Sequence, residues 1–373
     1  MSALFLKHLA IANFKNVEQA ELSLSSNLNG FVGDNGEGKT NLLDAVYYLS
    51  MAKSFFHQAD GQVIRHEQAF FMLQADYERN GTEEAIYCGV KRGEGKVLKR
   101  NGKPYERLAE HIGFIPLVMV SPTDSALITD SGEERRRYLN GLISQLDKEY
   151  LDSLIRYNHT LMQRNKLLKQ QRIDYDMLDT LDMQLSEYGQ RICEKRQLYV
   201  ELMSPSFSMV YAAISGNKEE VSLSYRSDLM QTSFKELLSQ SFEKDRVVQH
   251  TTVGIHRDDL EMKLGDYPIR RIGSQGQQKT YLLALKLAQF ELFKQRAGVP
   301  PLLLLDDIFD KLDTSRVEQL VQLVANSNFG QIFLTDSSKT RLDSILDRVS
   351  SGYALFHVEN GMVAELKRKE AEL

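Results

Sequence analysis

The chain has 373 residues, about 2.5 times the length of a typical domain, which excludes a mini-protein and predicts one large divided domain or two to three ordinary ones. With 42% hydrophobic and 26% charged residues, it can bury a sizeable core and matches neither a disordered nor a fibrous composition. The formal net charge is −5, from 46 Lys and Arg against 51 Asp and Glu, so any DNA site on this chain must be local.

No apolar run approaches the ~18 residues that cross a bilayer, and the N-terminal residues lack the apolar core and cleavage site of a signal peptide. We therefore expect a cytoplasmic protein without membrane contact. The two cysteines, Cys88 and Cys193, fit no metal-binding spacing, and we expect both to be packing thiols in a reducing compartment.

The first third of the chain predicts sheet around one helix. Residues 4–14 alternate apolar and polar side chains as a strand does, and residues 20–24 repeat the pattern. A third predicted strand, 28–32, leads through a glycine-rich loop into a helical run at 41–49. Between residues 70 and 98, short β-rich runs separated by Asn-Gly and Gly-Glu-Gly turns predict antiparallel strands, and 115–120 predicts a buried strand.

The middle of the chain predicts a helical hairpin. Leucines at 154, 161 and 168, and again at 178, 181 and 185, have heptad-like spacing. We predict helices over 147–171 and 176–213 that form an antiparallel arm. The α/β pattern returns from 245, with a strand at 260–264, a helix at 277–296 and a continuously apolar strand at 301–305. The predicted domains are 1–130, the N-terminal half of a head with a β sub-lobe, 131–244, an inserted helical arm, and 245–373, the C-terminal half of the head.

Residues 33–40 match the P-loop pattern Gly-x-x-x-x-Gly-Lys-Thr completely, between a predicted strand and a predicted helix. In such a loop, backbone N–H groups hold phosphate, Lys39 reaches the terminal phosphates of ATP, and Thr40 is a Mg²⁺ ligand. The positive end of the following helix also favours phosphate. The residues predicted to contact the nucleotide are Gly33, Asp34, Asn35, Gly36, Glu37, Gly38, Lys39, Thr40 and Asn41.

The apolar strand ending at Leu305 delivers two carboxylates to its C-terminal edge, as the second part of such a site requires. Asp306 is predicted to hold Mg²⁺, directly or through water. Asp307 is placed to polarise the attacking water and is the candidate general base. Asp306 follows Lys39 by 267 residues, far more than one compact P-loop domain needs, so the sequence predicts an insertion.

A small-residue turn at 273–276 opens the predicted helix 277–296. Exposed N–H groups at a helix start bind anions, so this turn is interpreted as a second phosphate contact. If this turn contacts the nucleotide bound by a second subunit, ATP would hold the two subunits together as a symmetric dimer. The predicted contacts are Ser274, Gln275, Gly276 and Gln277, with Ser274 counted as catalytic beside Lys39 and Asp307. A simple N-cap at Ser274 is the alternative.

Two basic segments are the candidates for DNA contact, although a charged run is also typical of a solvated hairpin or helix face. Residues 91–103 carry six basic residues and one acid, and residues 135–137 are three consecutive arginines. The candidate DNA-contacting residues are Lys91, Arg92, Lys96, Lys99, Arg100, Lys103, Arg135, Arg136 and Arg137.

Read in order, the motifs resemble those of the ABC-type ATPase heads of the SMC class, and among these the RecF family. Beside the P-loop, the signature-like turn and the two acids, the resemblance is carried by Asn13-Phe14-Lys15-Asn16, by Ser131 to Leu139 with its arginine triplet, by Gln163-Arg164-Asn165 and by Gly254-Ile255-His256-Arg257-Asp258-Asp259. It spans nearly the whole chain. Leu312-Asp313 resembles the end of the D-loop.

The resemblance implies an α/β fold: an ABC/SMC-type P-loop ATPase head with a mixed sheet, an antiparallel β sub-lobe and an inserted α-helical hairpin arm. It implies a weak ATPase that uses ATP and Mg²⁺ as a switch. It further implies a homodimer formed on ATP binding that holds gapped or junction DNA and, with RecO and RecR, promotes RecA loading in repair and replication. On that reading Lys39 and Thr40 belong to Walker A, Asp306 and Asp307 to Walker B, and Ser274 to Gln277 to the signature motif.

The sequence departs from the family at several points and leaves alternatives open. Residues 52–56 stand where the family more often has an Arg-Ser-Phe-Arg run, and Thr335-Asp336-Ser337 stands where transporter ATPases place a switch histidine, so no γ-phosphate sensor is assigned. His256 beside Arg257-Asp258-Asp259 could belong to a metal or acid/base cluster, but no other ligand set accompanies it, so a buried or interface hydrogen-bond network is favoured. Residues 163–165 are a candidate interaction point of the arm.

A nuclease fused to such a head and a transporter or long-coil chromosome ATPase are the other classes considered. The nuclease would need a further carboxylate constellation, and only about 60 residues follow Asp313. The arm is too long for a transporter insertion and too short for an SMC coil.

Overall fold

The computed structural model describes residues 3–217, 219–308, 329–348 and 352–370. The predicted D-loop end, residues 312–313, lies outside them. The strands are β1 (Leu4–Phe14), β2 (Val17–Ser23), β3 (Leu28–Val32), β4 (Phe70–Arg79), β5 (Thr82–Lys91), β6 (Gly95–Arg100), β7 (Lys103–Pro104), β8 (Leu117–Val120), β9 (Val221–Arg226), β10 (Asp259–Leu264), β11 (Tyr267–Pro268), β12 (Leu302–Leu305), β13 (Ile332–Asp336), β14 (Tyr353–Glu359) and β15 (Met362–Lys369). The helices are α1 (Lys39–Met51), α2 (Asp60–Val63), α3 (Ala126–Thr129), α4 (Gly132–Leu146), α5 (Lys148–Leu168), α6 (Tyr175–Ser215), α7 (Phe234–Val248), α8 (Ile269–Ile272), α9 (Gln275–Arg296) and α10 (Lys339–Arg348).

The predicted antiparallel strands form a six-stranded sheet in the order β2-β1-β4-β5-β6-β7. Along β1 the side chains alternate between core and surface, as a sheet with one covered face requires. β4 and β5 are joined by Asn80-Gly81, and both residues have positive φ (54° and 79°), the backbone of a tight hairpin turn.

A second sheet has the order β15-β14-β3-β13-β12-β8, with parallel pairing everywhere except between β14 and β15. β3, β12 and β13 are buried at every position, and β12 is an unbroken run of four leucines, as expected of a strand covered on both faces. Their carboxyl ends meet at one edge of the sheet, and this edge carries the candidate site.

Helix α1 packs in the core between these sheets. Ten of its 13 residues are buried, so its hydrophobic residues are not confined to one stripe. Tyr48 makes edge-to-face contacts with Phe14 and Phe71 of the antiparallel sheet, at centroid distances of 5.9 and 5.2 Å. The core fixes α1, and therefore the loop that precedes it, against both sheets.

The predicted arm is present as α5 and α6. Asp147 and Asp174 cap these helices, each accepting a hydrogen bond from a backbone N–H of the first turn. With 41 residues, α6 is about 60 Å long. The heptad leucines 154, 168, 178, 181 and 185 are buried, so the spacing correctly predicted packed helices. Among the described residues, no helix is long and apolar enough to cross a membrane.

The compact units differ from the predicted domain boundaries. One unit comprises residues 1–124 and 285–373, and the other runs from Ser125 to Ala284. The predicted boundary at 244/245 falls within the second unit, where β9 of the predicted arm pairs with β10 of the predicted head. The start of α9 therefore belongs to the second unit with the arm.

Candidate nucleotide-binding site

The P-loop, residues 33–40, leaves the carboxyl end of β3 and enters α1. The Lys39 ammonium lies over this loop and donates to the carbonyl oxygens of Gly33 at 2.7 Å and Asp34 at 2.8 Å. Lys39 is only 4% exposed, so the loop holds its charge in place. A loop of backbone N–H groups with a cation above it fits the terminal phosphates of a nucleotide.

Two glycines of the P-loop are required by its surroundings. A Cβ on Gly33 would lie 2.1 Å from the carbonyl oxygen of Val358. Gly38 has φ of 113°, and a Cβ there would approach the Asn16 side chain to 2.7 Å. No other residue type fits either position without displacing its neighbours.

The turn between β1 and β2 supports the P-loop from one side. The Asn16 amide donates to the Glu37 carbonyl at 3.1 Å, and the Asn41 amide donates to the Asn16 side-chain oxygen at 2.7 Å. The resemblance to known heads included residues 13–16 but gave them no role. The structure shows Asn16 bridging the P-loop and the first turn of α1.

The hairpin between β14 and β15 supports the P-loop from the other end of the chain. The Gly361 N–H donates to the Glu37 carbonyl at 2.9 Å, and the Asn360 N–H donates to the Glu37 carboxylate. The sequence had no signal for this contact, since the hairpin is a common Asn-Gly turn 323 residues away from Glu37.

Asp306 follows β12 and faces the P-loop, as predicted from the acid pair. The Thr40 hydroxyl donates to its two carboxylate oxygens at 2.9 and 3.1 Å. Asp306 is 3% exposed, and burial raises its pKa above the ordinary value. A hydroxyl and a buried carboxylate side by side are oxygen donors of the kind that Mg²⁺ takes beside nucleotide phosphates.

Thr335, on the neighbouring strand β13, ties together the two acidic positions. Its hydroxyl donates to Asp306 at 2.8 Å and accepts the Asp307 N–H at 2.9 Å. Asp307 itself has φ of 45°, a left-handed conformation that is uncommon for a residue other than glycine. The sequence left this position without a role. The structure makes Thr335 the residue that sets the backbone of the candidate general base.

Asp44, in the middle of α1, is fully buried and anchors the segment 52–56, where the sequence departs from the family. Lys15 pairs with the Asp44 carboxylate at 2.7 Å, and Ser54 donates to it at 2.7 Å. The Lys15 ammonium also lies 4.6 Å from the centre of the Phe56 ring. Here Phe56 contacts a partly buried lysine, so residues 52–56 have a structural role.

The signature turn, residues 274–277, starts α9 in the second unit. The Ser274 hydroxyl accepts the Gln277 N–H at 3.3 Å, and the Gln277 side-chain oxygen accepts the Ser274 N–H at 2.7 Å. This is a capping box, the alternative considered from sequence. The capping bond uses Ser274 as an acceptor, so its hydroxyl proton is still free to donate to a ligand.

Glu219 is the further contact of the signature turn. The Gln277 amide donates to its carboxylate at 2.7 Å, and the Tyr211 hydroxyl at the end of α6 donates to the same carboxylate. Tyr281 in α9 packs on Phe207 of α6, with ring centroids 4.6 Å apart. Within the second unit, the arm helix is therefore joined to the signature turn through one carboxylate.

The structure places the candidate DNA residues in two groups. Five of them are held by partners in their own unit: Lys96 by Asp60 and the Ala52 carbonyl, Arg100 by Glu84, Arg135 by Asp259, Arg136 by the Asp258 carbonyl, and Arg137 by Glu133 and Glu134. Lys91, Arg92 and Lys103 are exposed on the strands and turn of β5 to β7, where Lys91 pairs with Glu94 at 2.5 Å and Arg92 donates to the Gln68 carbonyl at 3.1 Å. Lys99 lies 5.5 Å from the Tyr87 ring centre. Lys99 and Lys103 have no ion pair with any described residue and are therefore the stronger candidates.

Two motifs of the second unit are structural. His256 accepts from or donates to the Tyr157 hydroxyl at 2.8 Å and contacts the Thr251 carbonyl at 3.1 Å, and burial lowers its pKa to about 4. The expected buried network is therefore present. Arg164, in the candidate interaction point 163–165, is fully buried between Asp182 and Asp245, at 2.5 and 2.8 Å, and so stabilises the arm.

Comparison with known proteins agrees with this geometry. The sequence model described as RecF/RecN/SMC N terminal domain matches residues 5–363. The chain is 53% identical over 369 residues to the DNA replication and repair protein RecF of Bacteroides fragilis, covering 98% of this chain and 100% of that protein. It is 44% identical over 357 residues to the protein of the same name from Flavobacterium johnsoniae, covering 95% of this chain and 99% of that protein.

Solved structures give the same result. A structure of the recombination mediator protein RecF with ATP, in the RecFOR pathway, superposes with a TM-score of 0.89 at 31% identity and covers 98% of both chains. The Smc head domain of Pyrococcus furiosus, at 16% identity and a TM-score of 0.57, covers 98% of this chain and 96% of that one and supports the fold alone. The predicted head fold with a helical insertion is confirmed, and this chain belongs to the RecF family.

Proposed function

We propose that this chain is an ATP-dependent DNA-binding recombination mediator that binds ATP with Mg²⁺ and uses slow hydrolysis as a switch. The observation that carries the proposal is the pair of hydrogen bonds from Thr40 to Asp306, which joins the two halves of a nucleotide site across 266 residues. The solved structure of RecF with ATP supports the choice of nucleotide.

In this proposal the residues of the first unit hold the nucleotide and the attacking water. Lys39 turns from the loop carbonyls to the terminal phosphates, and the P-loop N–H groups hold the phosphate oxygens. Mg²⁺ held by Thr40 and Asp306 would neutralise the charge that develops on the phosphates. Asp307 accepts a proton from the attacking water, with its backbone fixed by Thr335.

The signature turn acts, in the proposal, on the nucleotide of a second copy of the chain. Ser274 keeps its hydroxyl proton for a phosphate oxygen, and the N–H groups at the start of a 22-residue helix favour an anion. ATP thereby joins a symmetric homodimer. The dimer holds gapped or junction DNA, with Lys91, Arg92, Lys99 and Lys103 among the contacts, and works with RecO and RecR in loading RecA.

The test is the mass in solution, measured by light scattering on the Asp307→Asn variant with and without ATP and gapped DNA. We expect the mass to double from 42.6 kDa with ATP alone and the dimer to bind the DNA. Ser274→Arg should remain monomeric and still bind ATP. A mass that does not change with ATP would refute the dimer, and a dimer that does not bind DNA would refute the mediator function.

A further inference from the structure

A basic cleft of about 350 Å³ lies within the second unit, formed where β10 and β11 lead into the short helix α8. Leu127, Ile128 and Gly132 line its other side. Helix α8 ends at Ile272, two residues before Ser274. Some residues that line the cleft therefore lie directly before the signature turn in the chain.

The charges of the cleft are not balanced. Five cationic side chains line it, Arg135, Arg226, Lys263, Arg270 and Arg271, against the two carboxylates Asp259 and Glu261. Arg135 is fully paired with Asp259, at 2.6 and 3.0 Å. Arg226 and Lys263 share Glu261, at 3.3 and 3.5 Å.

Arg270 and Arg271 are exposed, and among the described residues neither has an ion pair or a hydrogen bond. Two adjacent guanidinium groups in a cleft, in a chain whose net charge is −5, are a local concentration of positive charge. The planar guanidinium group matches the oxygens of a phosphate, which it contacts with two parallel hydrogen bonds. The cleft thus has the donors that a phosphate-bearing chain requires.

An exposed aromatic residue, Tyr267, precedes Arg270 by three residues in the chain. Tyr267 on β11 is 63% exposed, the neighbouring Pro268 lines the cleft, and Ile272 at the end of α8 is 50% exposed. Basic residues next to an exposed aromatic ring are typical of surfaces that bind single-stranded nucleic acid, where phosphates meet the cations and an unpaired base stacks on the ring. An acidic peptide would use the cations but would give Tyr267 no specific role.

We propose that this cleft binds the backbone of single-stranded DNA through Arg270 and Arg271, with a base stacked on Tyr267. The proposal rests on the proposed DNA-binding function and assigns the single-stranded part of a gap or junction to the second unit. It adds a contact next to the signature turn, distinct from the residues of β5 to β7.

The experiment measures binding of the full chain to a labelled single strand and to gapped DNA, with ATP and Mg²⁺, over a range of salt concentrations. Removing two phosphate contacts by the double change R270Q/R271Q should reduce the slope of log affinity against log salt by about 1.4 for the single strand. The matched control K166Q/K169Q removes two exposed cations of the arm and should leave that slope unchanged.

Tyr267→Ala should weaken single-strand binding about tenfold without changing the slope, and Tyr267→Phe should retain binding.

Each contrary result has a distinct meaning. An unchanged slope in the arginine variant, with the ATP-dependent dimer intact, overturns the proposal and leaves the DNA-binding function standing. Loss of the ATP-dependent dimer in that variant also overturns it, by assigning the arginines to the subunit interface. Binding of poly-glutamate to the original chain but not to the arginine variant, with equal DNA binding by both, would assign the cleft to an acidic protein segment. Failure of the original chain to bind DNA would instead reject the proposed function itself.

Discussion

The Thr335 hydroxyl donates a hydrogen bond to the Asp306 carboxylate at 2.8 Å, across two neighbouring parallel strands. The same hydroxyl accepts the Asp307 N–H, so one side chain sets both the carboxylate proposed to hold Mg²⁺ and the backbone of the proposed base. Outer contacts of this kind orient the groups that touch the metal and the substrate.

Thr335→Val keeps the shape of the side chain but removes the hydroxyl. We expect turnover of ATP to fall by about 10- to 100-fold, because Asp306 loses a donor and the Asp307 N–H loses its acceptor. Thr335→Ser should recover most of the activity. The measurement is the ATPase rate as a function of Mg²⁺ concentration, and equal rates for the valine variant and the original chain would contradict the assigned role.

Asp307→Asn tests the general base without disturbing its backbone, since Asn tolerates the left-handed conformation that Asp307 adopts at φ 45°. Turnover should fall at least about 100-fold while ATP binding is retained. Asp307→Ala should lose turnover equally and also lose about 1 kcal/mol of unfolding free energy, because alanine is strained in this conformation. Single-turnover kinetics measures the loss of turnover, and thermal unfolding measures the loss of stability. Near-normal turnover in the Asn variant would show that another group accepts the proton.

Glu219→Ala should weaken ATP-dependent dimerisation about tenfold, because the Gln277 side chain that caps the signature helix loses its anchor. Glu219→Gln keeps a side-chain oxygen for the Gln277 amide and is the matched control. The mass should be followed against protein concentration with ATP, in the Asp307→Asn background. Identical dimerisation in the alanine variant would mean that the capping box alone holds the turn.

His256 predicts a pH dependence of stability. Its folded-state pKa of about 4 lies below the ordinary 6.5, so between these values the unfolded chain binds a proton that the folded chain does not. The free energy of unfolding should therefore rise as the pH increases from about 4 to 6.5. The increase due to His256 is up to about 3 kcal/mol and is complete above pH 6.5. Urea unfolding of the original chain and of His256→Gln from pH 4.5 to 7.5 measures it. A difference between the two that stays constant with pH would contradict the prediction.

The sequence predicted those parts of the molecule that depend on short-range patterns. The P-loop between strand and helix, the apolar strand that ends at Asp306, and the heptad leucines of the arm each lie within one segment, and the structure has each of them. The contacts of Thr335, Glu219 and Asn360 were missed because they join segments far apart in the chain, where no local spacing records the pairing.

The basic segments show what a run of charge in a sequence leaves open. Lys96 and Arg135 belong to runs of positive charge, which predicted DNA contact, but pairing with Asp60 and Asp259 removes both from the exposed surface. Charge in a sequence does not specify which cations are neutralised in the fold. Arg270 and Arg271, in a less conspicuous pair, keep their charge exposed.

The position of β3 between β13 and β14 has a consequence for the synthesis of this protein on the ribosome. The strand that leads into the P-loop is made within the first 32 residues, yet its two neighbours begin only at Ile332 and Tyr353. Both edges of β3 therefore stay unpaired until about 300 further residues have been synthesised. Such long-range pairing is slow, and it leaves apolar strands exposed to aggregation. Nascent chains of this protein should depend on chaperones until the final hairpin emerges, and shortened chains that lack β14 should be unable to fold the P-loop.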